Sequence, residues 1–145
     1  MTTTTSDQFS AEERAAMKDR ARELKAQAVG ADGEAAALEK IAQMPAEEQV
    51  LAKGFHELVR NVAPGLTVKT WYGMPAYATP GKEGKVVCYF QSGAKMKMRY
   101  CTVGFSDAAQ LDDASLWATS FAVTAWNDAT RKSLSTLVRR AVAAS

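Results

Sequence analysis

At its centre the chain reads Trp71-Tyr72-Gly73-Met74-Pro75-Ala76-Tyr77. Three aromatic residues, a methionine, a glycine and a proline within seven positions fit neither an amphipathic helix nor a regular strand. Gly73 tolerates backbone angles that other residues avoid, and Pro75 has no N–H to donate to a sheet. The run therefore predicts a sharp turn that breaks a strand and leads the chain into an antiparallel meander. Its unusual composition also makes it a candidate binding site.

The residues from 66 onward have the period of two that is typical of strands. Turn-forming residues at 80–84 and 92–95 separate the apolar segments, which indicates hairpins and an antiparallel sheet. The predicted strands are 67–72, 85–91, 96–103 and 118–124.

A charged helix is predicted at 11–29, with a capping box formed by Ser10 and Glu13 and a glycine stop at Gly30. Its apolar stripe is narrow, so it should dock loosely, either as an arm on its own domain or against a second chain. The stripe consists of Met17, Ala21, Leu24 and Ala28.

Three further helices have clearer apolar patterns. Asp32 is placed to cap the second helix, which ends at Pro45. The third helix is predicted at 46–62, so Pro45 also lies near its start. Asn127 or Asp128 caps the last. The expected inward residues are Leu38, Ile41 and Met44 on the second helix, Leu51, Phe55, Leu58 and Val62 on the third, and Leu134, Leu137, Val138 and Ala141 on the last.

Helices, then a sheet, then a helix predict an α+β fold, with about four to five antiparallel strands and helices packed on one face. The expected organisation is a disordered lead-in at 1–9, a charged helical extension at 10–33 and a single domain at 34–145. A chain of 145 residues can bury one core without a disulfide or metal.

Composition limits the class of protein. No apolar stretch approaches the ~18 residues that span a membrane, so no membrane association is expected. Cys88 and Cys101 lie in strand-like apolar runs, which favours two reduced core thiols in a cytoplasmic protein over a disulfide or a reactive thiol. Residues 1–65 hold 8 Lys/Arg and 11 Asp/Glu, whereas residues 66–145 hold 10 and 5, so the second half is basic.

Several motifs, in one order, resemble the YdhG-like family of bacterial proteins, over roughly residues 34–142. They are the run 71–77, Gly84-Lys85-Val86-Val87-Cys88-Tyr89-Phe90, Val103-Gly104-Phe105, and Leu111-Asp112-Asp113 with Leu116-Trp117. The resemblance implies a frataxin-like fold and iron binding or iron delivery, because at least one member is regarded as an iron chaperone. Most members have no known activity. Helix 11–29 resembles an extension in some actinobacterial members.

Iron is therefore the candidate cofactor, although none is required for folding. Hard iron ions prefer oxygen ligands, and the third helix offers Glu47, Glu48 and Glu57 as candidate metal residues. Glu47 and Glu48 also lie in a first helical turn, where carboxylates complement the helix dipole without any metal.

The sequence argues against catalysis. His56, the only histidine, falls on the polar flank of its helix and is expected to be solvated. Neither a phosphate-binding loop nor a dinucleotide fingerprint occurs, and thiols inside strands are poorly reactive. We therefore expect a non-catalytic protein.

A binding module is the alternative to iron. If residues 96–103 form a strand, Lys97, Arg99 and Cys101 share one face, and this basic face around Trp71 suits an anionic small molecule or an acidic protein segment. The alternative for Trp71 is that its side chain belongs to the hydrophobic core and contacts no ligand. Nucleic acid is disfavoured, and the chain is expected to be a monomer or weak homodimer. The candidate ligand-binding residues are Lys69, Trp71, Tyr72, Met74, Tyr77, Lys97 and Arg99.

Overall fold

The computed structural model describes residues 10–28, 33–82 and 84–143, apart from the side chains of 24–28. Its elements are α1 (Ala11–Ala28), α2 (Gly33–Ala42), α3 (Ala46–Val62), β1 (Thr67–Trp71), β2 (Met74–Ala78), β3 (Val86–Gln91), β4 (Cys101–Phe105), β5 (Ser120–Val123) and α4 (Asp128–Val142). The five strands pair in chain order and every pair is antiparallel. The predicted α+β meander is confirmed.

The run 71–77 forms the hairpin between β1 and β2. Tyr72 and Gly73 make a two-residue turn and both have left-handed backbone angles, with φ of 53° and 79°. Such turns match the twist of the flanking strands. The predicted sharp turn is confirmed, but the expectation that the run cannot form a regular strand is wrong for 74–77. Pro75 is accommodated because β2 starts to pair with β3 only at Ala76, so the missing N–H costs no bond to β3.

The predicted strand 96–103 is wrong in its first half. The N–H of Met98 donates to the carbonyl oxygen of Gly93 at 2.8 Å, and Lys97 has a left-handed φ of 58°. Residues 92–100 therefore form a turning connection, and β4 starts at Cys101. Lys97 and Arg99 consequently do not lie on a sheet face.

One face of the sheet carries the hydrophobic core. By register, Tyr77, Phe90 and Val103 point to the same side. Three helices cover that side. Helix α2 buries the predicted Ile41, but the prediction is wrong for Leu38, which is 43% exposed. Helices α3 and α4 supply apolar stripes, whose buried members are Leu51, Ala52, Phe55, Leu58 and Val59 of α3, and Leu134, Val138 and Ala141 of α4.

The helix ends follow the sequence closely. Ser10 and Glu13 form the predicted capping box, with reciprocal bonds of 2.8 and 3.0 Å. Pro45 is the N-cap of α3. The side chain of Asn127 accepts from the N–H of Thr130, which identifies Asn127 as the cap of α4. The lead-in 1–9 and the expected caps at Gly30 and Asp32 lie outside the described residues.

Candidate functional site

Helix α1 is attached to the domain by carboxylates. Over residues 11–23 its only buried side chains are Asp19 and Glu23, which are 9% and 7% exposed. The predicted apolar stripe is wrong for Met17, which is 47% exposed, and for Ala21, which is also exposed. The side chains of the other two stripe residues, Leu24 and Ala28, lie outside the described residues. The helix docks on its own domain, as the arm alternative predicts.

Asp19 lies among three cationic side chains. One carboxylate oxygen accepts from Lys40 Nζ at 3.4 Å and from Arg22 Nη2 at 3.3 Å, and the other accepts from Lys95 Nζ at 3.2 Å. Burial by itself would raise the pKa of Asp19, but the hydrogen bonds and charges of Lys95 and Lys40 outweigh it and hold that pKa below its ordinary value. The carboxylate is therefore ionised at neutral pH.

Glu23 binds the tip of the β1–β2 hairpin. Its two oxygens accept from the N–H groups of Tyr72 and Gly73, each at 2.7 Å. Because both turn residues are left-handed, their N–H groups converge into a small anion-binding concavity. Glycine is favoured at position 73 because L side chains rarely adopt its φ of 79°, and a Cβ there would also displace the ends of the Lys95 and Asp19 side chains, 2.2 and 2.5 Å away.

A third carboxylate of α1 contacts the turning connection before β4. Glu12 accepts from Lys97 Nζ at 2.8 Å, and this bond lowers the pKa of Glu12 and raises the pKa of Lys97. Residues 12, 19 and 23 are spaced seven and four apart, so they share one helix face. That face is acidic, and the domain surface opposite it is basic.

A cavity of about 670 Å³ opens beside these contacts. Among the described residues that line it, the charged ones are three cations and one carboxylate, Asp19. Apolar and aromatic side chains supply much of the remaining wall. The lining residues used below are Arg22, Lys40, Met44, Tyr72, Met74, Lys95 and Met96. We refer to this space as the Lys40–Lys95 cavity.

The structure brings only part of the predicted ligand site together. Tyr72 and Met74 line the cavity, and Lys97 lies on the same side of the molecule, paired with Glu12. Arg99 is exposed and stacks on the ring of Tyr100, 5.3 Å from its centroid.

Trp71 and Lys69 lie on the sheet face opposite the core. The ring of Trp71 is half-buried and contacts the rings of Tyr72 and Tyr89, at centroid distances of 5.2 and 5.6 Å. The pKa of Lys69 is lowered, mainly by burial and to a smaller extent by the positive charge of Arg20. The expected continuous basic face around Trp71 is not formed, because Lys97 and Arg99 belong to the turning connection.

Tyr77 is a core residue and starts a polar chain that runs through buried His56 to the partly exposed Glu34. Its hydroxyl oxygen is 2.9 Å from His56 Nδ1, and His56 Nε2 is 2.9 Å from a Glu34 carboxylate oxygen. Burial raises the pKa of Tyr77 above its ordinary value. The expectation of a solvated His56 is wrong, since the residue is 7% exposed. Its burial is tolerated because both ring nitrogens have polar neighbours.

The three candidate metal residues do not form one site. Glu48 uses one carboxylate oxygen for the hydroxyl of Ser92 and the other for the N–H of Ala94, at 2.9 Å, so it fixes the connection before β4. Glu47 and Glu57 are exposed and ten residues apart, about 15 Å along the helix. Across the described ranges, no three His, Cys, Asp or Glu side chains are grouped as metal ligands.

Both cysteines are free thiols buried in the sheet, as predicted. Burial raises the pKa of Cys88 far above its ordinary value and raises the pKa of Cys101 to about 11. Low thiolate content makes both poor nucleophiles.

Six charged residues of the site are not among those predicted from the sequence: Glu12, Asp19, Arg22, Glu23, Lys40 and Lys95. The spacing of acids at 12, 19 and 23 was available in the sequence and is the signal that points to an acidic helix face. Its basic counterpart comes from distant segments and has no local pattern.

No family model, curated protein or solved structure matches the chain. The YdhG-like resemblance therefore stays a prediction. No helix in the part of the chain that the structure describes is long and apolar enough to cross a membrane.

Proposed function

We propose that the protein is a non-catalytic binding module, cytoplasmic in its setting, that takes a small amphipathic anion in the Lys40–Lys95 cavity. The observation that carries this proposal is the charge of the cavity wall. Arg22, Lys40 and Lys95 converge on the single carboxylate of Asp19, so the described lining has an excess of positive charge.

The chemistry of the wall supports a ligand with two parts. An ammonium group carries three donors, and Asp19 accepts from each of the two lysines, so donors remain to meet an anionic head group. Met44, Met74 and Met96 offer adaptable thioether contacts, and the exposed ring of Tyr72 offers a stacking surface. The volume lies within the usual range for small-molecule sites.

A titration of the ¹⁵N-labelled protein with 3-phenylpropionate tests the proposal, with 3-phenylpropanamide as the neutral control of the same shape. Addition of 3-phenylpropionate is expected to shift the backbone N–H resonances of Gly73 and Lys95. Addition of neutral 3-phenylpropanamide is expected to leave them unchanged. Lys95→Gln should weaken binding about tenfold, because a charge-assisted bond is lost.

Lys132→Gln is the matched control variant, since Lys132 is an exposed lysine on α4. It should leave the affinity unchanged. Equal binding of the acid and the amide, or equal effects of the two substitutions, would contradict an anion site in this cavity.

Iron binding or delivery, which the YdhG-like resemblance implies, remains a separate proposal. Ferrous iron titrated anaerobically should then shift resonances of Glu47, Glu48 and Glu57 on α3 and leave Gly73 unchanged. Calorimetry and NMR that detect no binding at high micromolar iron would remove it.

A further inference from the structure

Five groups on the surface beneath α1 donate to its carboxylates. They are the side chains of Lys40, Lys95 and Lys97 and the N–H groups of Tyr72 and Gly73, all of which belong to the chain after residue 33. We call this set the receptor surface.

Elements other than α1 hold the receptor surface in place. The register of β1 and β2, in which Trp71 pairs with Met74, fixes the turn that aims the two N–H groups. Glu48, on α3, fixes the connection that carries Lys95 by accepting from Ser92 and Ala94. The donors should therefore keep their positions when α1 is absent.

Helix α1 binds this surface mainly through its carboxylates. Over residues 11–23 it buries two carboxylates and no apolar side chain, whereas a structural helix normally buries an apolar stripe. Glu12, Asp19 and Glu23 contact the lysines and the hairpin N–H groups along one helix face. Attachment by charge and hydrogen bonds can be exchanged for another helix that offers the same carboxylates.

We infer that the receptor surface is a docking surface for an acidic helix of a partner protein, and that α1 is its resident occupant. The partner helix carries carboxylates at positions i, i+7 and i+11, and it binds by displacing α1. This inference rests on the proposed function only in that Lys40 and Lys95 belong to both sites.

The test uses the full chain with Asp19→Lys and Glu23→Lys, which expels α1 by repulsion from Lys40 and Lys95. A synthetic peptide of residues 10–28 with the natural sequence is then added to the ¹⁵N-labelled variant. The peptide is expected to shift the amide resonances of Gly73, Lys95 and Lys97.

Two control peptides define specificity. One has both Asp19→Asn and Glu23→Gln and should bind at least about tenfold more weakly, since it lacks the charged acceptors. The other has the natural composition with the carboxylates moved by two positions, and it should bind as weakly as the first.

Three results would overturn the inference. They are the absence of shifts with the natural peptide, equal binding of the three peptides, and loss of the dispersed spectrum in the variant, because the receptor surface must survive without α1. Binding of 3-phenylpropionate by the wild-type chain, together with failure of the peptide, would remove this inference and leave the proposed function standing. The reverse pattern would remove only the proposed function.

Discussion

Helices α1 and α3 have nearly the same length, 18 and 17 residues, and pack on the same domain by opposite means. Helix α3 buries large apolar side chains such as Phe55 and Leu58, and each such residue contributes about 1.5–3 kcal/mol. Over its first 13 residues, α1 buries Asp19 and Glu23 instead. Ion pairs near a surface contribute far less net free energy. The comparison teaches that α3 builds the fold, whereas α1 is a charge-matched attachment to it.

Truncation of the α3 stripe should have the largest effect. Phe55→Ala removes a fully buried ring at the centre of the core and should lower the free energy of unfolding by about 3–5 kcal/mol, measured by chemical denaturation. Met17→Ala, at an exposed apolar position of α1, is the matched truncation and should cost less than about 0.5 kcal/mol. Similar losses for both would erase the distinction between the two helices.

The polar chain inside the core should have the next largest effect. Tyr77→Phe keeps the ring but removes the hydroxyl that faces His56 Nδ1, so a buried polar atom loses its neighbour at a cost of about 1–3 kcal/mol. Tyr72→Phe, at an exposed ring, is the control and should be nearly neutral. If Tyr77→Phe is equally neutral, the polar chain does not contribute to the stability of the α3 core.

Acid should act on α1 before it acts on α3. The folded-state pKa of Asp19 lies below its ordinary value, so its contribution is complete above the ordinary value of about 3.9 and is lost as the pH falls through the folded-state pKa. Amide resonances of α1 should therefore change on acidification while those of α3 keep their dispersion. Asp19→Asn should reduce this acid transition, because the Asp19 part of it is then missing. A simultaneous change of both helices would contradict the prediction.

The parts of the fold that could be predicted from the sequence are those with local patterns. The apolar stripe of α3, the capping box at Ser10 and the turn at Gly73 each depend on residues that are close together in the sequence. The misses involve partners distant along the chain. Glu48 accepts from Ser92 and Ala94, 44 and 46 positions away, and the connection that starts there continues as a turn through the residues predicted as a strand. His56 is buried beside the hydroxyl of Tyr77, 21 positions later.

The site was harder to predict than the fold for the same reason. Its cations come from α1, α2 and the connection before β4, and its N–H donors belong to the backbone of Tyr72 and Gly73. Every residue except proline has a backbone N–H group, so the residue type does not indicate which N–H groups bind an anion. The run 71–77 indicates the turn but not the charges around it, and the acids at 12, 19 and 23 indicate only the helix side of the site.

Hydrogen exchange of the full chain, compared between wild type and Asp19→Lys/Glu23→Lys, measures most directly how each helix is attached. An isolated helix of this length is marginal in water, so α1 amides should exchange at nearly unprotected rates in the variant. The amides of α3 should keep their wild-type protection. Protection of α1 that survives the two substitutions, or protection that is lost in α3 as well, would contradict the attachment of α1 by its carboxylates.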